Sequence, residues 1–277
     1  MSSLTITIIQ PNLQWENKRA NLAMLSQKIK NIKEKTEVVI LPEMFSTGFS
    51  MHPEVLAEKM GGETMQWMKK ISSDKKIILT GSIIIEENEK YFNRLIWMLP
   101  NGEYGYYDKR HLFAYAMEHQ HYTAGSKRLI AQVKGWKINL MVCYDLRFPV
   151  WARQSPSSNP VRPGTGGLSP GKEGQGQEYD VAVYIANWPE KRNLAWKTLL
   201  QARAMENQCY VIGVNRVGED GNKIHYSGDS MIVDPLGEIL YQKANEEDIF
   251  THTLQKEKLN EVREKFPFWK DADEFNL

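Results

Sequence analysis

Two hydrophobic periods alternate along the chain. Residues 4–10, Leu-Thr-Ile-Thr-Ile-Ile-Gln, carry the period-of-two pattern of a strand, which Pro11-Asn12 ends. Between Asn17 and Lys35 apolar residues fall at Ala20, Leu22, Ala23, Leu25, Ile29 and Ile32, roughly one helical face, so a helix with a lysine-rich outer side is predicted. Val38 to Leu41 reads as a fully buried strand. Glu63 to Ser72 follows as a second helix with Met65, Trp67, Met68 and Ile71 inward, and Ile77 to Ile85 as the next strand.

Later strands come in pairs. Tyr91 to Leu99 and Glu103 to Tyr107 flank Pro100-Asn101-Gly102, Leu129 to Val133 and Lys137 to Val142 flank Gly135, and Met231 to Tyr241 form a hairpin around Pro235-Leu236-Gly237. Val181 to Ala186 and Tyr210 to Asn215 read as buried strands around a helix from Asn193 to Glu206. A last helix, Leu254 to Lys265, precedes an aromatic tail. Strands alternating with helices predict an α/β layered sheet rather than a bundle or an all-β sandwich.

One stretch interrupts the pattern. Ser155 to Gln177 is built from Ser, Pro, Gly, Gln and a few charges, without a period, and cannot bury enough apolar surface to join a core. The strand and helix pattern then resumes in the same style. A single domain over 1–277 is therefore expected, with a flexible insertion at 155–177 and a C-terminal tail at 266–277.

Composition narrows the function classes. The 277 residues are 42% hydrophobic, enough for a full core, and 35 basic side chains nearly cancel 34 acidic ones. This balance argues against nucleic acid or an anionic membrane surface as partner and favours a small molecule. No apolar run approaches the ~20 residues needed to span a bilayer. With no signal peptide visible and only Cys143 and Cys209 present, a cytoplasmic protein is expected.

The candidate chemistry centres on Cys143. It closes the apolar run from Lys137 to Val142 and precedes Tyr144-Asp145-Leu146-Arg147-Phe148-Pro149, placing a thiol at the rim of a sheet. A thiol needs a base and a cation to become and remain a nucleophile. Glu43 follows the strand ending at Leu41-Pro42, and Lys109 lies in Tyr106-Tyr107-Asp108-Lys109-Arg110-His111-Leu112-Phe113. Rival signals are weaker. Gly166 to Lys172 has the glycine and lysine spacing of a phosphate loop, but Glu173 replaces the hydroxyl residue and no strand precedes it. His119 and His121 lack a metal-binding spacing for a helix, so no metal is expected. There is no Gly-x-Ser-x-Gly elbow, and Cys209 reads as core packing.

Leu41-Pro42-Glu43, Asp108 to Phe113, and Val142-Cys143-Tyr144-Asp145-Leu146-Arg147-Phe148-Pro149 resemble, in order and spacing, the Glu-Lys-Cys motifs of the nitrilase superfamily of carbon-nitrogen hydrolases. Ala186-Asn187-Trp188-Pro189, Ala202 to Asn207 and Gly228-Asp229-Ser230 resemble its later signatures. Within it the chain is most similar to the bacterial omega-amidase, Nit2-like branch. The resemblance implies a four-layer α-β-β-α sandwich that pairs as a homodimer, with neither metal nor organic cofactor. It also implies a second glutamate shortly before a glycine, a place that Glu118 fits seven residues before Gly125. The 155–177 insertion departs from the family pattern.

By that resemblance Cys143 is the nucleophile, Glu43 the general base, and Lys109 with the Tyr144 backbone N–H the oxyanion hole. Glu118 orients Lys109 or the substrate amide. Phe45, Phe113, Tyr144, Asn187 and Trp188 are expected to wall a narrow substrate pocket. Arg147 is expected in a structural ion pair, with a substrate carboxylate as the alternative partner. The implied substrate is the terminal amide of a small 2-oxo acid, 2-oxoglutaramate or 2-oxosuccinamate. An aliphatic amidase, a nitrilase, an N-carbamoyl hydrolase and a catalytically silent scaffold remain as alternatives.

Overall fold

The computed structural model describes residues 2–154, 169–170 and 178–271. Among them the strands are Ser3–Gln10 (β1), Val38–Ile40 (β2), Ile78–Glu87 (β3), Lys90–Met98 (β4), Tyr104–Asp108 (β5), Leu129–Val133 (β6), Trp136–Val142 (β7), Ser169–Pro170 (β8), Val181–Ile185 (β9), Tyr210–Val214 (β10), Val217–Glu219 (β11), His225–Val233 (β12), Ile239–Ala244 (β13) and Asp248–Gln255 (β14). The helices are Lys18–Lys30 (α1), Pro53–Leu56 (α2), Glu63–Lys75 (α3), Glu118–His121 (α4), Pro149–Ala152 (α5), Asn193–Asn207 (α6) and Lys256–Lys265 (α7). None is long and apolar enough to cross a membrane.

Two sheets stack. One runs β14-β1-β2-β3-β4-β5, parallel across β1, β2 and β3; the other runs β11-β12-β10-β9-β7-β6-β8, parallel across β10, β9 and β7, with β13 on β12. Side-chain alternation assigns the layers. In the first sheet Leu4, Ile6, Ile8, Val38, Ile40, Ile78, Leu95 and Trp97 face the second sheet and share one core with Ile138, Leu140, Val181, Val183 and Ile212. The alternate residues Ile9, Val39, Leu79, Ile83, Ile85, Ile96 and Met98 face outward onto Leu22, Leu25 and Ile29 of α1 and Met65 and Met68 of α3. Trp196, Leu200 and Ala204 of α6 cover the far side of the second sheet. The layers are therefore α-β-β-α, as expected.

Boundaries differ where pairing decides them. The first helix ends at Lys30 rather than Lys35, because Asn31 caps it and the chain must turn back so that Glu37 can bond Thr5 beside β1. β14 was not predicted and occupies the stretch before the last helix, which starts at Lys256 rather than Leu254. It lies at a sheet edge and only Leu254 is buried, so its apolar alternation is weak; Thr251 and Thr253 instead bond Thr7 and Thr5 across the pair. β12 begins six residues before the predicted Met231. The expected insertion and the glycine-rich stretch within it lie outside the described residues, apart from Ser169–Pro170, which pair with Leu129 and Ile130.

The end of β5 is clamped by the loop after α4. Thr123 N–H donates to Tyr91 O at 2.7 Å, and Gly125 N–H to Lys109 O at 3.0 Å. A Cβ on Gly125 would stand 2.2 Å from the Asp108 carbonyl oxygen. Gly125→Ala is accordingly expected to destabilise the fold by about 1–3 kcal/mol through overpacking against backbone. A urea midpoint equal to wild type would contradict this close approach.

Candidate active site

The third residue after β2, the first after β5, the first of α4 and the first after β7 bring Glu43, Lys109, Glu118 and Cys143 to the carboxyl ends of the parallel strands. Such strand ends are where α/β sheets place ligand sites. Lys109 Nζ lies 2.9 Å from Glu43 Oε1 and 3.0 and 2.9 Å from Glu118 Oε1 and Oε2. All three side chains are fully buried. The ammonium also stands 5.1 Å from the Phe49 ring centroid.

Neutral donors complete the carboxylate shells. Asn93 Nδ2, on β4, donates to Glu43 Oε1 at 2.8 Å and Glu118 Oε1 at 3.4 Å. Asn187 N–H reaches Glu43 Oε2 at 2.8 Å, and its Nδ2 reaches the Glu43 carbonyl at 2.6 Å. Phe113 N–H bonds Glu118 Oε2 at 2.5 Å. Burial works against the Lys109 charge, but Glu118 and Glu43 outweigh it and raise the lysine pKa. Burial raises the Glu118 pKa, and Glu43 adds to this because two carboxylates share one ammonium.

Cys143 has φ +47°, a left-handed conformation rare for a residue with a side chain. Asp145 holds the elbow. This buried carboxylate accepts Val142 N–H at 3.0 Å from the strand, and Tyr107 OH at 2.7 Å, His111 N–H at 3.0 Å and His111 Nδ1 at 2.8 Å from the lysine segment. One side chain thus sets the thiol and the lysine loop in register. Tyr144 stands at the start of a 3-10 turn, Cys143–Arg147, where a helical beginning leaves N–H groups without intrahelical partners. Burial pushes the Cys143 thiol pKa well up; Glu43 and Glu118 add to this through charge, Glu43 also by accepting a hydrogen bond from the thiol, and only Lys109 opposes it.

A cavity of about 160 Å³ opens over the sulfur. That is below the ~300 Å³ of drug-sized sites and fits a small substrate. Phe113, Tyr144, Asn187 and Trp188 line it as expected, together with Phe49, Met51, Arg192 and Tyr226. Phe45 does not. It is fully buried beneath the first sheet, 5.7 Å from the Trp67 ring, where a Cβ on Gly81 would come within 2.6 Å of it. The left-handed turn at Met44, φ +42°, rotates Phe45 away from the side Glu43 faces.

Arg147 also departs from expectation. It is exposed, lies over the Trp188 ring at 5.1 Å and lines the cavity; among the described residues the paired arginines are Arg94, Arg203 and Arg263. Cys209 sits in the core, and burial pushes its pKa up to about 12. Asn93 has a sequence signal in hindsight: it is the polar residue at an inward strand position two before Leu95. Asp145 and Arg192 have none beyond being charged, because their roles depend on partners more than thirty residues away or on ring stacking.

The carbon-nitrogen hydrolase family profile matches residues 5–159 and 173–264. The omega-amidase YafV of Escherichia coli strain K12 is 41% identical over 279 residues, covering 100% of both chains. The 2-oxoglutaramate amidase of Bacillus subtilis strain 168 is 29% identical over 96% of each. A crystal structure from Xanthomonas campestris, of a CN-hydrolase superfamily protein with an arsenic adduct in its active site, superposes with a TM-score of 0.90 at 40% identity and 100% coverage of both chains.

The thiol shift has a direct spectroscopic consequence. Thiolate absorbance near 240 nm is expected to show no deprotonation of Cys143 between about pH 6 and 9. In Glu43→Gln the titration moves to lower pH, since a charge opposing the thiolate is gone while Lys109 remains. A wild-type thiolate at neutral pH, or an upward shift in the variant, would contradict this electrostatic picture.

Proposed function

The chain belongs to the carbon-nitrogen hydrolase family, and from that premise we propose that it is an omega-amidase, hydrolysing the terminal amide of a small 2-oxo acid such as 2-oxoglutaramate or 2-oxosuccinamate. The observation that carries the chemistry is the closed set of Glu43, Lys109 and Glu118 around one thiol at the floor of a small cavity.

With the amide carbonyl over the sulfur, the Glu43 carboxylate takes the thiol proton as sulfur bonds to carbon. The oxyanion is held by the Lys109 ammonium and the Tyr144 N–H, donors in place before reaction; loss of one such donor costs about 10²–10³ in rate. Protonated Glu43 returns its proton to nitrogen, the carbon-nitrogen bond breaks, ammonia leaves and a thioester remains. Glu43 then takes a proton from water, hydroxide adds to the thioester, and collapse releases the acid and restores the thiol. Glu118 acts as a positioning residue, holding Lys109 through two hydrogen bonds and balancing its charge. A neutral resting thiol suits this cycle, because nucleophile formation awaits a bound carbonyl.

The closing test combines ammonia release with mass spectrometry. Wild-type protein quenched during turnover of 2-oxoglutaramate is expected to carry an adduct of substrate minus ammonia on Cys143, and Cys143→Ala to show neither adduct nor turnover while keeping its thermal midpoint. Turnover by a folded Cys143→Ala variant would reject the mechanism. Carbon dioxide released with the ammonia would instead indicate a carbamoyl substrate.

We also infer that the chain folds as one unit, works in the cytoplasm and pairs with a second copy. The shared core between the sheets and two free cysteines support the first two readings. Leu194 and Met205 on α6 and Leu236 beside the β12 to β13 turn are exposed, an apolar surface suited to a symmetric partner. Light scattering is expected to give twice the 32.0 kDa chain mass. A monomer at micromolar concentration would remove the pairing.

A further inference from the structure

Lys109 is carried on the end of an edge strand. β5 is five residues long, has β4 as its one sheet neighbour among the described residues, and ends at Asp108, the residue before the lysine. The ends of strands held on one side open at low free energy. A lysine that must face a thiol while shared by two carboxylates tolerates little of that motion, since a displacement of about 1 Å can cost about a hundredfold in rate. The backbone supplies part of the restraint: Lys109 N–H donates to the Asn93 carbonyl of β4 at 3.0 Å.

Two adjacent residues of β4 supply more, from opposite faces. Asn93 points between the sheets, where its amide bonds Glu43 and Glu118. Arg94 points to the outer face, directly across the strand pair from Asp108. Its Nε donates to Asp108 Oδ1 at 2.7 Å and its Nη2 to Asp108 Oδ2 at 2.9 Å; Nη2 also donates to Glu87 Oε2 at 3.0 Å. The guanidinium is 1% exposed and lies 4.1 Å from the Tyr106 ring centroid and 5.1 Å from that of Phe92. A fork clamped between rings fixes the plane of the carboxylate it grips, which a point charge does not. The gripped residue is the one from which Lys109 departs.

We propose that Arg94 is a positioning residue for the reaction: its bidentate hold on Asp108 sets where the Lys109 ammonium stands relative to Cys143 and the developing oxyanion. This rests on the part given to Lys109 in the amidase reading. It adds a device on the far face of the sheet, outside the lining of the cavity.

Two variants of the full chain test it. Arg94→Lys keeps the charge and removes the fork, while Tyr106→Leu, at an exposed position, loosens the guanidinium with little risk to the fold. Arg94→Lys is expected to lower kcat for 2-oxoglutaramate at least about tenfold with KM within about twofold, and Tyr106→Leu to lower kcat about threefold. Alkylation of Cys143 by iodoacetamide at about pH 8.5 should slow in parallel, at least about threefold in Arg94→Lys, because a displaced Lys109 no longer offsets Glu43 and Glu118 at the thiolate. A pair that serves stability alone would lower the thermal midpoint and leave both rates unchanged. Wild-type kcat and alkylation rate in folded Arg94→Lys, or in Tyr106→Leu where Arg94→Lys does not fold, would overturn the proposal. Slower alkylation in the variants, with no ammonia released from 2-oxoglutaramate by the wild type, would uphold the clamp on Lys109 while rejecting the omega-amidase reading.

Discussion

A single ammonium shared by two carboxylates, all out of water, governs this structure. Burying Lys109, Glu43 and Glu118 costs several kcal/mol per ion, and only close pairing with complete hydrogen-bond shells offsets it. Those shells recruit Asn93 from β4, the Phe113 N–H before α4, and Asn187 after β9. Removing one charged partner would strand the others, at about 3–5 kcal/mol. The same contacts that hold two sheets and a short helix together therefore define where chemistry can occur.

The thiol completes the arrangement by being held back. Burial, with the charges of Glu43 and Glu118, outweighs the pull of Lys109, so it stays protonated, and a protonated thiol is a poor nucleophile. In the proposed mechanism, proton transfer to Glu43 and attack on carbon are therefore linked steps at one site. Asp145 extends the linkage into the fold: by bonding the end of β7 and the segment from Tyr107 to His111, it ties the left-handed turn at Cys143 to the position of Lys109.

Core strands were legible because each carries a complete apolar period. β1, β2, β3 and β9 bury nearly every residue, and the pattern states which positions face inward. β14 was not legible, since its pairing rests on threonine hydroxyls and backbone at a sheet edge. The proposed nucleophile, base and cation, Cys143, Glu43 and Lys109, could be read because each sits where an apolar run meets a polar turn. Phe45 shares that neighbourhood in sequence, yet one left-handed residue at Met44 sends it to the opposite face of the sheet.

By itself the sequence determined an α/β layering through its periodicity and, through ordered motifs, the family and the candidate set Glu43, Lys109, Glu118 and Cys143, because both are local properties of the chain. Tertiary structure alone decided that these groups touch, that Asn93 and Asp145 hold them, and that Arg192 joins Arg147 on one wall. The physical reason is convergence. Positions 43, 93, 109, 118, 143 and 192 belong to separate segments, and neither their distances nor the loss of water that makes their charges interact strongly exists until the sheets have stacked.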